Sequence, residues 1–344
     1  MTSLAFAMTG PVSEQNFQST PGQGALRLAA EQMALAESIE DPALRIGAAF
    51  SAIALRSLAG DMAYTLRWAQ TAIEWADGDP AKGNLVLGSP LAVALAFRGA
   101  GRWWLGRPGW RDDIGEAMAI ARSSDAIIRS FVAAWRNLAI QGGVMRVDDS
   151  VLNDLEHALH TAEASGDDNA LGTAKYILGS ALEYRGFTGD RDRYLALLAD
   201  VRQMCLQQRF PRSELPLIDM LVAQDRARSG DRDGAIPVLR QAGHDMLVQH
   251  RFLYSLQATA ILVETLLDRG GDGDTEEAEA VIDRLAAVAG DGWVARDIMV
   301  LRLRTMLAHA RRDDVTYRDL RDRYRKMAND LGFEGHMKWA EEMP

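Results

Sequence analysis

SGDRDGAIPVLRQA, residues 229–242, reads as a turn feeding directly into a helix. Gly230 can adopt the left-handed backbone that ends a preceding helix. Asp231 then offers a carboxylate to the free N–H groups at the start of the next one. Beyond it, Ala235, Leu239, Ala242 and Met246 follow at steps of 4, 3 and 4, so their side chains share one stripe of a helix. A helix with one apolar stripe must bury it against a neighbour.

The same grammar extends in both directions. Met62, Leu66, Ala69, Ile73 and Ala76 form one stripe, and Tyr317, Leu320, Tyr324, Met327 and Leu331 form another. Asp41-Pro42 and Ser89-Pro90 each place a capping side chain before a proline in the first turn. Gly60-Asp61 and Gly166-Asp167 repeat the Gly230-Asp231 junction, and Asp274 with Glu277 suggests a capping box. No stretch alternates with period two; Leu85-Val86-Leu87, bounded by Gly83 and Gly88, reads as a loop or short extended connector. Helices are expected from near residue 25 to near residue 342, in about seven pairs with a period of roughly 35–45 residues. The small-Gly-Asp turn of 229–242 looks like the join between tetratricopeptide helices. The expected fold is therefore all-α: an irregular tetratricopeptide-like helical-repeat superhelix, an α-α solenoid. Residues 24–344 form the repeat domain; residues 1–23, rich in Gln, Ser, Thr, Gly and Pro, are expected to be a disordered N-terminal tail.

Composition narrows function. Thirty-eight basic against 48 acidic residues give a net charge of −10, which argues against a general nucleic-acid or membrane surface. No apolar run reaches the ~20 residues of a membrane span. The N-terminus has no basic region of a secretory signal. The one cysteine, Cys205, rules out an internal disulfide and fits a reducing, cytoplasmic setting.

The motifs of catalysis are missing. Gly-Lys, the heart of a P-loop, does not occur. Gly99-Ala-Gly101 begins like a dinucleotide fingerprint, but Trp104 stands where its third glycine belongs. Gly88-Ser89 and Gly179-Ser180 lack the second glycine of a nucleophile elbow. His157 and His160 are spaced to share a metal, yet Leu152, Leu155 and Leu159 make them the solvated side of a helix. The expectation is no catalytic residue, no cofactor and no metal. The Arg-rich segment at 318–326 interleaves with aspartates, as in Asp314–Arg318, Asp319–Arg323 and Asp322–Lys326, which neutralises that face.

One segment stands apart: Arg102-Trp103-Trp104-Leu105-Gly106-Arg107-Pro108-Gly109-Trp110-Arg111. Trp and Arg favour interface hot spots and cation–π pairing. Arg102, Trp103, Trp104, Arg107, Trp110 and Arg111 are thus the candidate partner or ligand surface. The competing reading is that the tryptophans staple a helix end to its neighbours around the Gly-Pro-Gly turn.

Several stretches resemble a known family: GSPLAVALAFRGAGRWWLGRPGWRDDIGEAMAIAR within 78–122, RQMCLQQRFPRSELPLIDM (202–220), ARSGDRDGAIPVLRQA (227–242), ILVETLLDRG (261–270) and LGFEGHMKWAEEMP (331–344). They are similar to the C-terminal tetratricopeptide-like region of actinobacterial multidomain regulators. Those proteins join a class III adenylate cyclase domain to a STAND/AAA-type ATPase, some with a LuxR-type DNA-binding module. The resemblance implies a helical region that regulates the ATPase or cyclase in cis, and here in trans. The cyclase's metal-binding aspartates and the ATPase's P-loop belong to domains upstream of this sequence, so no catalytic residue carries over. The name of adenylate cyclase or ATP-binding LuxR-type regulator could follow from likeness without the chemistry. A stand-alone remnant, a split-gene product or a shortened chain would each fit. Three functions are therefore weighed: a non-catalytic interaction or sensor module for a protein or peptide partner, a small-molecule sensor built on the tryptophan segment, and an enzyme acting on ATP. The first is expected, without nucleic-acid or membrane partners.

Overall fold

The computed structural model describes residues 22–84, 88–290 and 292–344. Among the described residues sixteen α-helices follow one another: α1 (Gly22–Glu37), α2 (Pro42–Leu58), α3 (Met62–Ala76), α4 (Pro90–Trp104), α5 (Trp110–Ala121), α6 (Ala126–Gln141), α7 (Asp149–Ser165), α8 (Asp168–Arg185), α9 (Arg191–Leu206), α10 (Leu215–Arg228), α11 (Arg232–Val248), α12 (Phe252–Arg269), α13 (Asp274–Ala286), α14 (Val294–Ala310), α15 (Asp314–Leu331) and α16 (Glu334–Glu342). Two 3₁₀ turns, Thr188–Asp190 and Arg212–Glu214, precede α9 and α10. There is no strand among the described residues. The fold is all-α, a tetratricopeptide-like helical-repeat superhelix. Helix α1 already contains Gly22 and Gln23, which the sequence assigned to the tail. The remainder of that tail, 1–21, and Leu85-Val86-Leu87 lie outside the described residues.

The aspartates behave as their positions demand. Asp41, Asp61, Asp167 and Asp231 accept from backbone N–H groups two or three residues on, and Ser89 accepts from Ala92 N–H. Asp274 departs from expectation. Gly273 takes the cap position of α13, and the buried Asp274 carboxylate accepts instead from Gly271 N–H and from Arg269. Glu277, the supposed box partner, binds Arg240 of the preceding repeat. The local glycine-rich turn folds back on itself, which draws the carboxylate inward.

Consecutive short-linked helices pack antiparallel, and the pairs stack in two layers. The outer helices bury one stripe, as α7 does with Val151, Leu155, Ala158 and Ala162. Three of the even-numbered helices are buried over long unbroken runs: α4 over Pro90–Phe97, α6 over Trp135–Gln141 and α12 over Ser255–Val263. Ion pairs stitch neighbouring repeats at separations of one repeat length: Arg193–Glu156 is 37 residues apart, Arg269–Asp233 36, Arg302–Glu264 38 and Arg311–Glu279 32.

The array also closes on itself. Helix α14 reaches α4, and α12 touches both α2 and α6, although these lie several repeats apart. At the seam, Trp104 meets Trp293 edge-on at 5.4 Å between ring centroids, and Trp293 in turn meets Phe252. Helix α16 clasps the turn after α6: Glu334 N–H donates to Val144 O at 3.0 Å and His336 N–H to Gly143 O at 2.9 Å. The Glu334 carboxylate accepts from Arg111 and from Arg146 N–H.

His336 sits at the centre of this clasp with no exposed surface. Its Nε2–H donates to Gly142 O at 3.0 Å, and in the neutral ring Nδ1 accepts from the Tyr324 hydroxyl at 2.8 Å. Burial, with the Arg302 charge adding to it, pushes the imidazole down to about 3 from an ordinary 6.5. On acidification the unfolded chain takes up a proton from pH 6.5 downward, whereas the folded clasp resists until about pH 3. Stability from this group is therefore complete above pH 6.5 and drains between these two values, by roughly 1.4 kcal/mol per pH unit. Urea midpoints of wild type and His336→Gln at neutral pH and one unit below the free imidazole value should differ by that slope. Parallel losses in the two proteins would disprove it.

Candidate ligand cavity

Closure of the array leaves a cavity of about 510 Å³ on its inner wall, within the range of small-ligand sites. Four helices from separate repeats shape it: α2, α6, α8 and the start of α12, with the Phe210–Glu214 turn at one side. Phe50, Phe131, Trp135, Ile177 and Phe210 supply an apolar wall. The rings of Phe50 and Phe131 stack tilted at 4.9 Å, and Ile127 stands 57% exposed at the lining.

The polar groups of the wall are held in place from behind. Asn137 and Gln141 lie one turn apart on α6 and are almost fully buried. The Gln141 amide N–H₂ donates to the Ser180 hydroxyl at 3.0 Å and to the Tyr176 hydroxyl at 2.9 Å; that of Asn137 reaches Ser180 at 3.5 Å. Both amide oxygens, Asn137 Oδ1 and Gln141 Oε1, have no hydrogen-bond partner among the described residues. Burial raises the Tyr176 phenol far above its ordinary value, so it stays protonated.

Arg251, also buried, donates to both Glu214 carboxylate oxygens, at 2.9 and 3.0 Å, and to Ser213 O. Its guanidinium lies 4.6 Å from the Tyr254 ring centroid. Burial works against this charge, but the Glu214 carboxylate, with Tyr254 and Tyr176 beside it, more than offsets that and holds the guanidinium ionised. Burial lifts the Tyr254 phenol to about 12. Asp125 is the other lining carboxylate, and it caps α6 through Ile128 N–H.

The tryptophan segment lies elsewhere. Trp103, Trp104 and Trp110 are buried at 1%, 0% and 4% exposure, and none lines this cavity. Trp103 and Trp104 pack edge-on at 5.5 Å, and Trp110 packs on Phe333. Arg102 joins Arg98 on the buried Asp113 carboxylate, while Arg111 binds Gly332 O and Glu334. Five of the six residues thus form the joint between α4, α5 and the C-terminal clasp. Arg107 is exposed, as Arg111 is, and lies at a second opening of about 470 Å³ beside Leu105 and Trp293. His157 and His160 are exposed on α7, and Cys205 is buried, with burial lifting its thiol to about 12. Among the described residues no group of three His, Cys, Asp or Glu could hold a metal ion, and no helix is long and apolar enough to cross a membrane.

A solved structure shares this whole architecture. The crystal structure of a Rap protein complexed with competence and sporulation factor is similar to the chain at a TM-score of 0.56, with 13% sequence identity, covering 99% of this chain and 96% of that one. At that identity the likeness speaks for the fold. No family model matches the chain, and no curated protein is similar to it.

The cavity residues were hidden in the sequence for a physical reason. Asn137 and Gln141 look like ordinary polar positions of an amphipathic helix, where they would face water. Their one signal is placement inside WRNLAIQ (135–141), every residue of which the closed array buries.

Proposed function

We propose that this chain is a non-catalytic helical-repeat interaction and sensor module that takes a partner segment or ligand into its inner cavity. The observation that carries the reading is the convergence of α2, α6, α8 and α12, from four different repeats, on one partly apolar cavity. An occupant there would touch all four repeats and so bias the curvature of the array. The shared fold of a Rap protein, which is known complexed with competence and sporulation factor, supports a binding role for such a superhelix. Trp103, Trp104 and Trp110 serve the seam in this reading, because their rings are spent on packing against protein. The resemblance to cyclase–ATPase regulators supplies the context: occupancy would be reported to an ATPase or cyclase domain, in cis or in trans.

The test is selection of binders from a random-peptide display library on the purified chain. Bound peptide is expected to raise the melting temperature by mass action. Ala134→Trp or Thr173→Trp, each filling the cavity from a partly exposed wall position, should abolish that rise. Binders unaffected by both fillings would remove the cavity from the account. ATP turnover by the purified chain above a protein-free blank would remove the non-catalytic half.

A further inference from the structure

We infer that the cavity grips the main chain of an extended, apolar, non-acidic peptide segment, with Asn137 Oδ1 and Gln141 Oε1 as paired acceptors for its backbone N–H groups. The inference rests on the cavity being the binding site and specifies what fills it.

Three observations lead there. First, the two amides are 2% and 3% exposed, and both line the cavity. Their nitrogen ends are committed to Ser180 and Tyr176 on α8, and their oxygens are left without a donor. A buried acceptor without a donor costs about 1–3 kcal/mol. Two such acceptors side by side reward any occupant that brings N–H groups.

Second, the spacing selects the occupant's conformation. Residues four apart on a helix are separated by about 6 Å along its axis. In an extended chain, N–H groups on the same side recur every second residue, at about 6.6 Å. The pair therefore matches residues i and i+2 of an extended segment lying along α6. A helical segment offers no such pair, because its interior N–H groups are already bonded within the helix.

Third, the surroundings set the side chains. Phe50, Phe131, Trp135 and Ile177 favour an apolar residue beside the clamp. Asp125 and Glu214 face the space against one guanidinium, Arg251, which Glu214 already occupies. An acidic segment would meet the Asp125 carboxylate with no free cation among the described lining residues to receive it. Ser180 and Tyr176 are positioning residues, acting through the two amides.

The experiment uses a peptide chosen from the display selection above, resynthesised with one backbone amide N-methylated at a time. N-methylation removes a donor and leaves every side chain in place. Two positions separated by one residue should each lose about tenfold in affinity, the value of a well-made hydrogen bond. Asn137→Leu and Gln141→Met, near-isosteric and apolar, should weaken the parent peptide similarly and add nothing to the loss of the matching N-methylated analogue. A flat N-methyl scan with a peptide that the Ala134→Trp filling still blocks would overturn the clamp and leave the cavity site standing. A selection that yields no binder sensitive to the filling would overturn both. Preference for a peptide carrying acidic residues at the apolar position would also count against the clamp as described.

Discussion

Gly335→Ala is expected to loosen the C-terminal clasp, although helix propensity alone favours the change. Alanine exceeds glycine by up to about 1 kcal/mol inside a helix. Gly335, however, lies against the backbone of the α6–α7 turn. A Cβ there would stand 2.7 Å from Gly143 O, 2.8 Å from its Cα and 2.9 Å from its carbonyl carbon. Backbone cannot swing aside as a side chain can. Helix α16 must lift, and the hydrogen bonds of Glu334 N–H and His336 N–H to that turn lift with it. Overpacking costs typically 1–3 kcal/mol, so the clash should exceed the propensity gain by about 1 kcal/mol. Amide exchange across residues 334–342 should quicken by about fivefold. Slower exchange, or an unchanged rate, would show that the clasp is not the tight backbone contact described.

Trp104→Ala should be the most damaging single truncation at the seam. The ring is fully buried, wedged edge-on between Trp103 and Trp293, at a contact that ties the end of α4 to the start of α14. Truncating a buried tryptophan costs about 3–5 kcal/mol, through lost transfer energy and the cavity left behind. Because repeats unfold semi-independently, the loss should appear first as separation of the C-terminal pairs from the N-terminal ones. Urea unfolding followed by the remaining tryptophans should then show two transitions. Trp104→Phe should recover much of the loss, and Val315→Ala, at an 80% exposed position, should stay within about 0.5 kcal/mol of wild type. A Trp104→Ala midpoint close to that of Val315→Ala would remove the seam from the energetics of the fold.

These two sites show how differently the sequence speaks of local and of distant structure. Asp61, Asp167 and Asp231 were legible as helix caps, since a cap involves only atoms three residues away. Asp274 had the same look and a different fate, because Arg269 and the Gly271 amide compete for its carboxylate. The Trp103–Trp104–Trp110 cluster was conspicuous as composition. Whether it faced a ligand or a neighbour depended on Trp293 and Phe333, which lie more than a hundred and eighty residues further along.

Periodicity of apolar side chains, capping residues and Gly-Asp turns by themselves determined that this chain is a run of paired amphipathic helices, for these are short-range matters of backbone hydrogen bonding and side-chain spacing. Closure was decided only by the tertiary structure. It brings α14 to α4, α12 to α2 and α6, and α16 to the turn after α6. Small rotations between repeats accumulate along a superhelix, and no single stripe records their sum. That sum places Asn137 and Gln141 in the interior beside a cavity, their amide oxygens without a donor, where a solitary helix would have left them in water.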